Sequence, residues 1–155
     1  MKLGKPPRYG AKWIFVVGAA ALFLVAAKWL NTSPPSNRAE TSPGHEDEAL
    51  RTRFYDAPLA RVVTAAQGAL RKQRTYGRLW KITGYDSSTG ETQQIHVEVK
   101  VLVFTDDLTV TLKHESDGHT RVDCVSMARL GSGDFGENRR HVAQFLDALD
   151  AEIKR

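Results

Sequence analysis

An uncharged apolar run near the N-terminus limits which part of this 155-residue chain can form a water-soluble fold. Residues 13–27 read WIFVVGAAALFLVAA, without a charge or a strongly polar group. A membrane-spanning helix needs roughly 20 apolar residues. Lys28 can extend its ammonium to the interface, which lengthens the usable run to Leu30. Because Trp13 and Trp29 flank the run as aromatic residues flank membrane helices, we predict a transmembrane anchor at residues 13–30.

The charges around this run predict its orientation. Residues 1–12 form a basic tail with four cations and no acid, and few cations follow the run closely. Because positive residues stay on the cytoplasmic side, we expect a single-pass protein of the cell membrane with its domain outside, periplasmic or extracellular. A cleaved signal peptide, with Val25 and Ala27 before the cut, is the alternative. Under both interpretations the domain is exported across the membrane.

The charge balance of the remaining chain argues against nucleic acid as a partner. The formal net charge is +4, but residues 50–155 hold 16 Lys or Arg against 14 Asp or Glu, a difference of +2. A nucleic-acid binder concentrates cations on its domain. The single cysteine, Cys124, excludes an intramolecular disulfide, and its place on the apolar side of a strand predicts an inert buried thiol.

Residues 31–49 read NTSPPSNRAETSPGHEDEA, with three prolines and no large apolar side chain. Such a segment cannot bury enough surface to offset its ordering entropy. We therefore predict a disordered linker at residues 31–49. Its HEDE run at residues 45–48 is interpreted as a solvated acidic patch rather than a metal site.

Residues 50–155 show the periodicities of a small α+β domain. A helix is predicted after Asp56, a suitable N-cap, and Pro58, which is tolerated in a first turn. Its apolar stripe is Leu59, Val62, Val63, Ala66 and Leu70. The stripe of a closing helix is Val142, Phe145, Leu146, Leu149 and Ile153. Apolar positions at helical spacing indicate that each helix buries one side.

Between the helices the period changes to two. Residues 78–86 form the first strand candidate, and Ile95, Val97, Val99, Val101 and Val103 alternate with mostly polar positions in a long second strand. We expect Asp106-Asp107 to end it. A third strand follows at residues 108–113, the Asp117-Gly118 turn predicts a hairpin, and a fourth strand covers residues 119–128. The fold predicted is helix, four-stranded antiparallel sheet and C-terminal helix, with both helices on one sheet face.

The loop after the fourth strand matches G-x-G-x-x-G at Gly131, Gly133 and Gly136. A dinucleotide site also needs a second parallel strand bearing an acid, and no strand pattern follows the helix here. No cofactor is therefore expected. Asp134 and Glu137 have capping-box spacing, so we interpret these five residues as a structural loop and helix cap.

The remaining polar residues of the loop form the candidate binding site. Guanidinium groups near a helix N-terminus oppose its dipole and need a negative partner. That partner is either a carboxylate, from Asp134, Glu137, Asp106 or Asp107, or a bound anion or membrane headgroup. The candidate ligand- or partner-binding residues are Arg129, Asn138, Arg139 and Arg140.

No catalytic residue or metal site is assigned. Asp106 and Asp107 are interpreted as turn or ion-pair residues, although a hydrolytic enzyme using both with His96 or His114 is an alternative. His114 and His119 lack a third ligand for a metal. A second alternative is an apolar-ligand carrier with a cavity between the valine-rich strand and the helices.

The segment from Thr105-Asp106-Asp107-Leu108 to Arg139 resembles a bacterial family, domain of unknown function 1499. Six residues match its R-S-x-S-R-x-G-x-x-D-x-G-x-N-x-x-R pattern: Ser126, Arg129, Gly131, Asp134, Gly136 and Asn138. Val125, Ala128 and His141 depart from it, standing where the family has Arg, Ser and Arg. The resemblance covers roughly residues 54–150. It implies domain boundaries and marks the arginine-rich loop as the family signature, but the family has no established activity to transfer.

These observations favour a membrane-anchored, extracytoplasmic accessory module that is more readily understood as a binding protein than as an enzyme. Its expected partners are the membrane, through residues 13–30, and an envelope protein or anionic ligand, through the loop around Arg129 and Arg140.

Overall fold

The computed structural model describes residues 36–131 and 133–155, apart from the side chain of Ser88. The basic tail and the anchor predicted at residues 13–30 lie outside these residues. Within the described ranges, no helix is long and apolar enough to cross a membrane. The described residues belong to one compact unit, Pro35–Arg155, which has its own hydrophobic core.

The domain is α+β, with a mostly antiparallel sheet and a C-terminal helix. Its elements in chain order are β1 (Arg38–Glu40), β2 (Arg53–Tyr55), α1 (Leu59–Lys72), β3 (Arg74–Thr75), β4 (Arg78–Leu79), β5 (Lys81–Thr89), β6 (Thr92–Val101), β7 (Phe104–His114), β8 (Thr120–Ala128) and α2 (Glu137–Ile153). The main sheet has the order β1-β8-β7-β6-β5, with β2 also paired to β8, while β3 and β4 form a separate hairpin.

The main sheet has six strands, so the prediction of four is too low. The additional strands β1 and β2 both pair antiparallel with β8, for example Arg38 with Met127 and Arg53 with Val122. A three-residue strand is too short for side-chain alternation to mark it in the sequence. Its stabilisation comes from backbone hydrogen bonds to the free edge of β8, which leave no compositional signature.

Part of the predicted linker therefore belongs to the domain. Beyond β1, the Thr41 hydroxyl donates to Asp123 at 3.1 Å and accepts from the Cys124 amide at 2.9 Å. A short 3-10 helix, Glu48–Leu50, follows, and Leu50 is buried in the core. The composition of residues 36–49 shows that they have little apolar surface. It does not show that pairing with β8 orders them.

The break between the second and third predicted strands is also displaced. Asp106 and Asp107 lie inside β7, paired with Val99 and Glu98, so they do not end the strand. The chain reverses at residues 102–103, where Leu102 has a φ of +54°. Val103, predicted to face inward, is 87% exposed because it belongs to this turn. The hairpin turn predicted at residues 117–118 is present between β7 and β8.

Both helices pack on one face of the sheet, as their stripes predict. The buried side of α1 includes Val62, Val63, Ala66 and Leu70, and that of α2 includes Val142, Phe145, Leu146 and Leu149. The facing sheet positions, which include Val97, Val99 and Val110, are at most 1% exposed. The N-cap of α1 is Pro58, without a side-chain hydrogen bond, so the cap predicted at Asp56 does not form.

Candidate functional site

Most of the candidate residues meet at one end of the sheet. This end, which we call the loop end, comprises the turn at residues 102–104, the described loop residues 129–131 and 133–136, and the β3–β4 hairpin. The Arg129 amide donates to the Thr105 carbonyl at 3.1 Å, which ties the loop to the start of β7. The Ala128 amide donates to the Asn37 carbonyl at 2.8 Å, so the chain enters the described domain at the same end.

Arg129 lies on the sheet face that the helices leave uncovered. Its Nε and Nη2 donate to the two carboxylate oxygens of Asp107 at 2.8 and 2.7 Å, and Nη2 also contacts Glu98 at 3.1 Å. These hydrogen bonds to Asp107 raise the pKa of the guanidinium further. The sequence left open whether Arg129 pairs with a carboxylate or binds an anion. In this structure it pairs with the carboxylates of Asp107 and Glu98.

Arg139 and Arg140 also have carboxylate partners. Arg139 binds Asp47 through Nε at 2.5 Å and Nη2 at 3.0 Å, and this hydrogen bond lowers the pKa of Asp47. Arg140 pairs with Glu137 and lies over the Tyr76 ring, 5.2 Å from its centroid. The Asp47 partner could not be predicted, because residues 31–49 were interpreted as a linker.

Asn138 has a structural position. It is fully buried at the start of α2, where its Oδ1 accepts from the Ser126 hydroxyl at 2.6 Å. Its Nδ2 donates to the Asn37 carbonyl at 2.8 Å. The side chain therefore joins α2 to β8 and to the residue before β1, and it is not open to a ligand.

The predicted loop and cap residues form the α2 N-terminus, with one change in the cap. Asp134 accepts from the amides of Gly136, at 3.0 Å, and Asn138, at 2.6 Å. Glu137 does not complete a capping box, because its carboxylate binds Tyr76 and Arg140 instead.

Two of the loop glycines adopt backbone angles that favour glycine. Gly131 has a φ of +93° and Gly136 has a φ of +83°. L-residues enter this region at a cost.

A buried pair of titratable groups lies beneath this loop. Asp106 is 2% exposed and His141 is fully buried, with His141 Nδ1 3.6 Å from Asp106 Oδ2. His141 Nε2 is 3.6 Å from Glu137 Oε2, and the Trp80 ring meets the imidazole edge-on. Among the described atoms, Asp106 Oδ2 and both imidazole nitrogens have no hydrogen-bond partner.

Burial changes the pKa of both groups towards the neutral form. It raises the pKa of Asp106 to about 6, with further contributions from Asp134 and Glu137. It lowers the pKa of His141 to about 4, with Arg140 acting in the same direction. Desolvation penalises the charged state in each case. Sequence reasoning assigned no role to His141, although its spacing of four residues from Phe145 places it on the apolar stripe of α2.

The groups considered for hydrolysis do not converge. Asp106 points to the helix-covered face and Asp107 to the opposite face, as alternation in a strand requires. His96 contacts Asp86 at 2.8 Å on the outer face. His114 is eight residues beyond Asp106 in the same strand, about 27 Å away at the usual rise. Across the described residues, no group of three or more side chains is arranged to hold a metal ion.

Sequence reasoning missed the apolar surface of the loop end. The turn exposes Leu102 by 59%, Val103 by 87% and Phe104 by 52%, and the neighbouring loop exposes Leu130 by 72% and Phe135 by 92%. Tyr76 and Leu79 of the β3–β4 hairpin are half-exposed beside them. The sequence carries no turn-forming residue at positions 102–104, so the apolar run Leu102-Val103-Phe104 was interpreted as part of a strand.

Cations accompany these apolar side chains. Residues 73–85 contain Arg74, Arg78 and Lys81 and no acid. Arg78 donates to the Leu102 carbonyl at 3.3 Å, which ties the basic hairpin to the apolar turn. Within the described part of the chain, none of these three cations has a carboxylate oxygen within 4.0 Å. Lys81 lies opposite Glu98 in the β5–β6 pairing, and Glu98 is bound to Lys100 and Arg129. The loop end therefore combines exposed apolar side chains with a hairpin rich in cations.

Comparison with known proteins places the chain in a family without a known activity. A family model described as "Protein of unknown function (DUF1499)" matches residues 28–149. This range includes residues 36–49, which the structure also assigns to the domain. No curated protein matches the chain.

Three solved structures are distantly similar. Protein CV1439 from Chromobacterium violaceum is 14% identical with a TM-score of 0.42, covering 77% of this chain and 99% of that chain. TTHA0849 from Thermus thermophilus is 14% identical with a TM-score of 0.33, covering 78% and 97%. The Saccharomyces cerevisiae Ran-binding protein Mog1p is 12% identical with a TM-score of 0.34, covering 81% and 82%. These scores are too low to suggest a function.

Proposed function

This chain belongs to the DUF1499 family of proteins of unknown function, and we propose that it is a membrane-anchored accessory module of the cell envelope. Its domain lies outside the membrane and binds an envelope partner through the loop end. The anchor is residues 13–30, and the four cations of residues 1–12 hold the N-terminus in the cytoplasm.

The observation that carries this proposal is the concentration of exposed apolar side chains at the loop end. Leu102, Val103 and Phe104 stand next to each other in the turn, and Leu130 and Phe135 follow from the adjacent loop. Scattered apolar residues are normal on a protein surface, but a contiguous group rimmed by polar residues is typical of an interaction site.

Arg129 and Arg139 stabilise the loop through ion pairs and do not form the contact with the envelope partner. Arg129 and Arg139 each hold a carboxylate with two hydrogen bonds, so an anionic ligand would have to displace Asp107 or Asp47. An Arg129→Ala/Arg139→Ala double variant separates the two roles. We expect it to fold and to keep its partner, because the apolar side chains carry the contact. Loss of the partner by a folded double variant would instead assign the contact to the guanidinium groups.

A photo-crosslinking amino acid in the full-length protein tests the contact in cells. At position 103 it should form adducts in the envelope, whereas at position 117, in the hairpin turn at the opposite end of β7, it should not. Equal labelling at both positions, or none at position 103, would contradict a specific contact at the loop end.

Protease added to intact spheroplasts tests the orientation. The domain should be digested while a tag on the N-terminal tail survives. A domain protected until the membrane is opened would refute the extracytoplasmic placement.

A further inference from the structure

We infer that the partner of the loop end is the surface of an anionic phospholipid bilayer, into which the turn at residues 102–104 inserts. The inference deepens the proposed function and rests on it for the anchor. It follows from three independent properties of the loop end: its apolar tip, the cations of its hairpin and the point at which the described chain enters the domain.

The turn has the form of a membrane-inserting tip. Leu102 and Val103 connect β6 to β7 at the extremity of the sheet, and Phe104 opens β7. No described residue covers Val103, which is 87% exposed. Apolar side chains at a protruding turn can enter the interfacial region of a bilayer without moving the backbone hydrogen bonds of the sheet into hydrocarbon.

The cations beside the tip complement anionic headgroups. Arg74, Arg78 and Lys81 lie on or directly after the β3–β4 hairpin, which Arg78 holds against the turn. Basic residues close to a membrane surface are attracted to anionic lipids, and apolar insertion adds to this attraction. Tyr76 contributes an aromatic ring with a polar tip, a residue type favoured at the membrane interface.

The described chain enters the domain at the loop end. Asn37 binds Ala128 and Gly131 at the loop end, so the preceding residues leave the domain there.

Vesicle binding by a fragment of residues 36–155 tests the inference, because this fragment contains the complete sheet, both helices and the core. We expect it to co-sediment with vesicles of equal phosphatidylcholine and phosphatidylglycerol at low salt. Binding to pure phosphatidylcholine vesicles should be at least about tenfold weaker, and salt should reduce the difference by screening.

Matched variants locate the contact. Val103→Asp should weaken binding about tenfold or more, whereas Phe54→Asp, at an exposed apolar residue of β2 towards the opposite end of the sheet, should change it less than about twofold. Arg78→Gln/Lys81→Gln should remove most of the preference for anionic lipid. Arg61→Gln/Lys154→Gln removes the same charge elsewhere and should not. Circular dichroism verifies that each variant is folded.

Other results would overturn the inference in distinguishable ways. A folded fragment that does not bind anionic vesicles, or that loses binding equally with Val103→Asp and Phe54→Asp, refutes lipid docking. If position 103 of the full-length protein then crosslinks to a protein, the proposed function stands with a protein partner. If light scattering shows a dimer that Val103→Asp dissociates, the occupant of the loop end is a second copy of the chain. If position 103 forms no adduct at all, both proposals fail.

Discussion

The buried Asp106–His141 pair should make two single variants respond to pH in opposite directions. The variants are Asp106→Asn and His141→Gln, each removing one titratable group while keeping a polar side chain of similar size. Both groups lie almost entirely out of water, 3.6 Å apart, and burial drives both towards neutrality. Folded and unfolded chains therefore bind protons differently, which makes stability depend on pH.

The magnitude follows from the two pKa changes. The pKa of Asp106 rises from 3.8 to about 6, so the folded state holds a proton that the unfolded state has released, and the resulting stability is lost as pH rises through this window. The pKa of His141 falls from 6.5 to about 4, so its contribution is present above pH 6.5 and lost as pH falls. Each change corresponds to about 3 kcal/mol. In the wild type the two contributions largely cancel.

Each variant exposes one contribution when it is compared with the wild type. Asp106→Asn should have nearly wild-type stability at pH 4 and be more stable by up to about 3 kcal/mol at pH 7, because it removes a carboxylate that is costly to bury. His141→Gln should be close to wild type at pH 7 and more stable by up to about 3 kcal/mol at pH 4. The two differences should therefore have opposite slopes.

Urea unfolding of the 36–155 fragment at pH 4, 5, 6 and 7 measures these differences. Trp80 is the single tryptophan of the fragment and lies against the His141 ring, so its fluorescence reports unfolding at this location. The Asp86–His96 pair on the outer sheet face, where Asp86 is exposed and His96 partly exposed, supplies matched controls. Asp86→Asn and His96→Gln should change stability little at any of these pH values, because exposed pairs contribute little.

A charged Asp106–His141 ion pair would give a different result. The imidazolium and the carboxylate would then stabilise each other, and either variant would lose stability between pH 5 and pH 7. Parallel losses of this kind, or differences that do not vary with pH, would refute the interpretation that both groups are neutral and buried.

Three further predictions concern the residues around the loop end and the core. Asn138→Ala should destabilise the fragment by about 2–4 kcal/mol in urea unfolding, since it leaves the Ser126 hydroxyl and the Asn37 carbonyl without their buried partner; a loss below about 1 kcal/mol would contradict this role. Gly136→Ala should cost about 1–2 kcal/mol, because alanine is strained at a φ of +83°, and an unchanged midpoint would show that the turn relaxes. The buried Cys124, whose thiol pKa is raised by burial, should react with a thiol reagent only when the protein unfolds, as followed by mass spectrometry; rapid labelling in native buffer would contradict its burial.

The central part of the fold was predictable because its signals are local. Alternation over residues 95–101 sets which side chains of β6 face the helices, and helical spacing sets the buried sides of α1 and α2. The Asp117-Gly118 turn joins β7 to β8, as its residue types predict. These features depend on neighbours within a few positions, so periodicity and turn chemistry are sufficient to find them.

The candidate site was only partly predictable because its contacts join distant segments. Arg129 begins the loop and Arg139 lies in the first turn of α2, but the partner of one comes from β7 and that of the other is Asp47. The aspartate pair shows the same limit. Alternation requires Asp106 and Asp107 to face opposite sides, but only the register with β6 decides which one is buried.

The sequence by itself determined the apolar run and its flanking cations, the α+β class, the long central strands, both helical stripes and the family pattern. Each of these features depends only on residues that are close together in the chain. The tertiary structure alone decided that β1 and β2 add to the edge of β8, that Asp106 and His141 share a dry environment, and that apolar residues resembling core in the sequence lie exposed at a turn. The physical reason is that edge pairing, burial and exposure depend on which distant segment occupies the neighbouring space, and one-dimensional spacing does not contain that information.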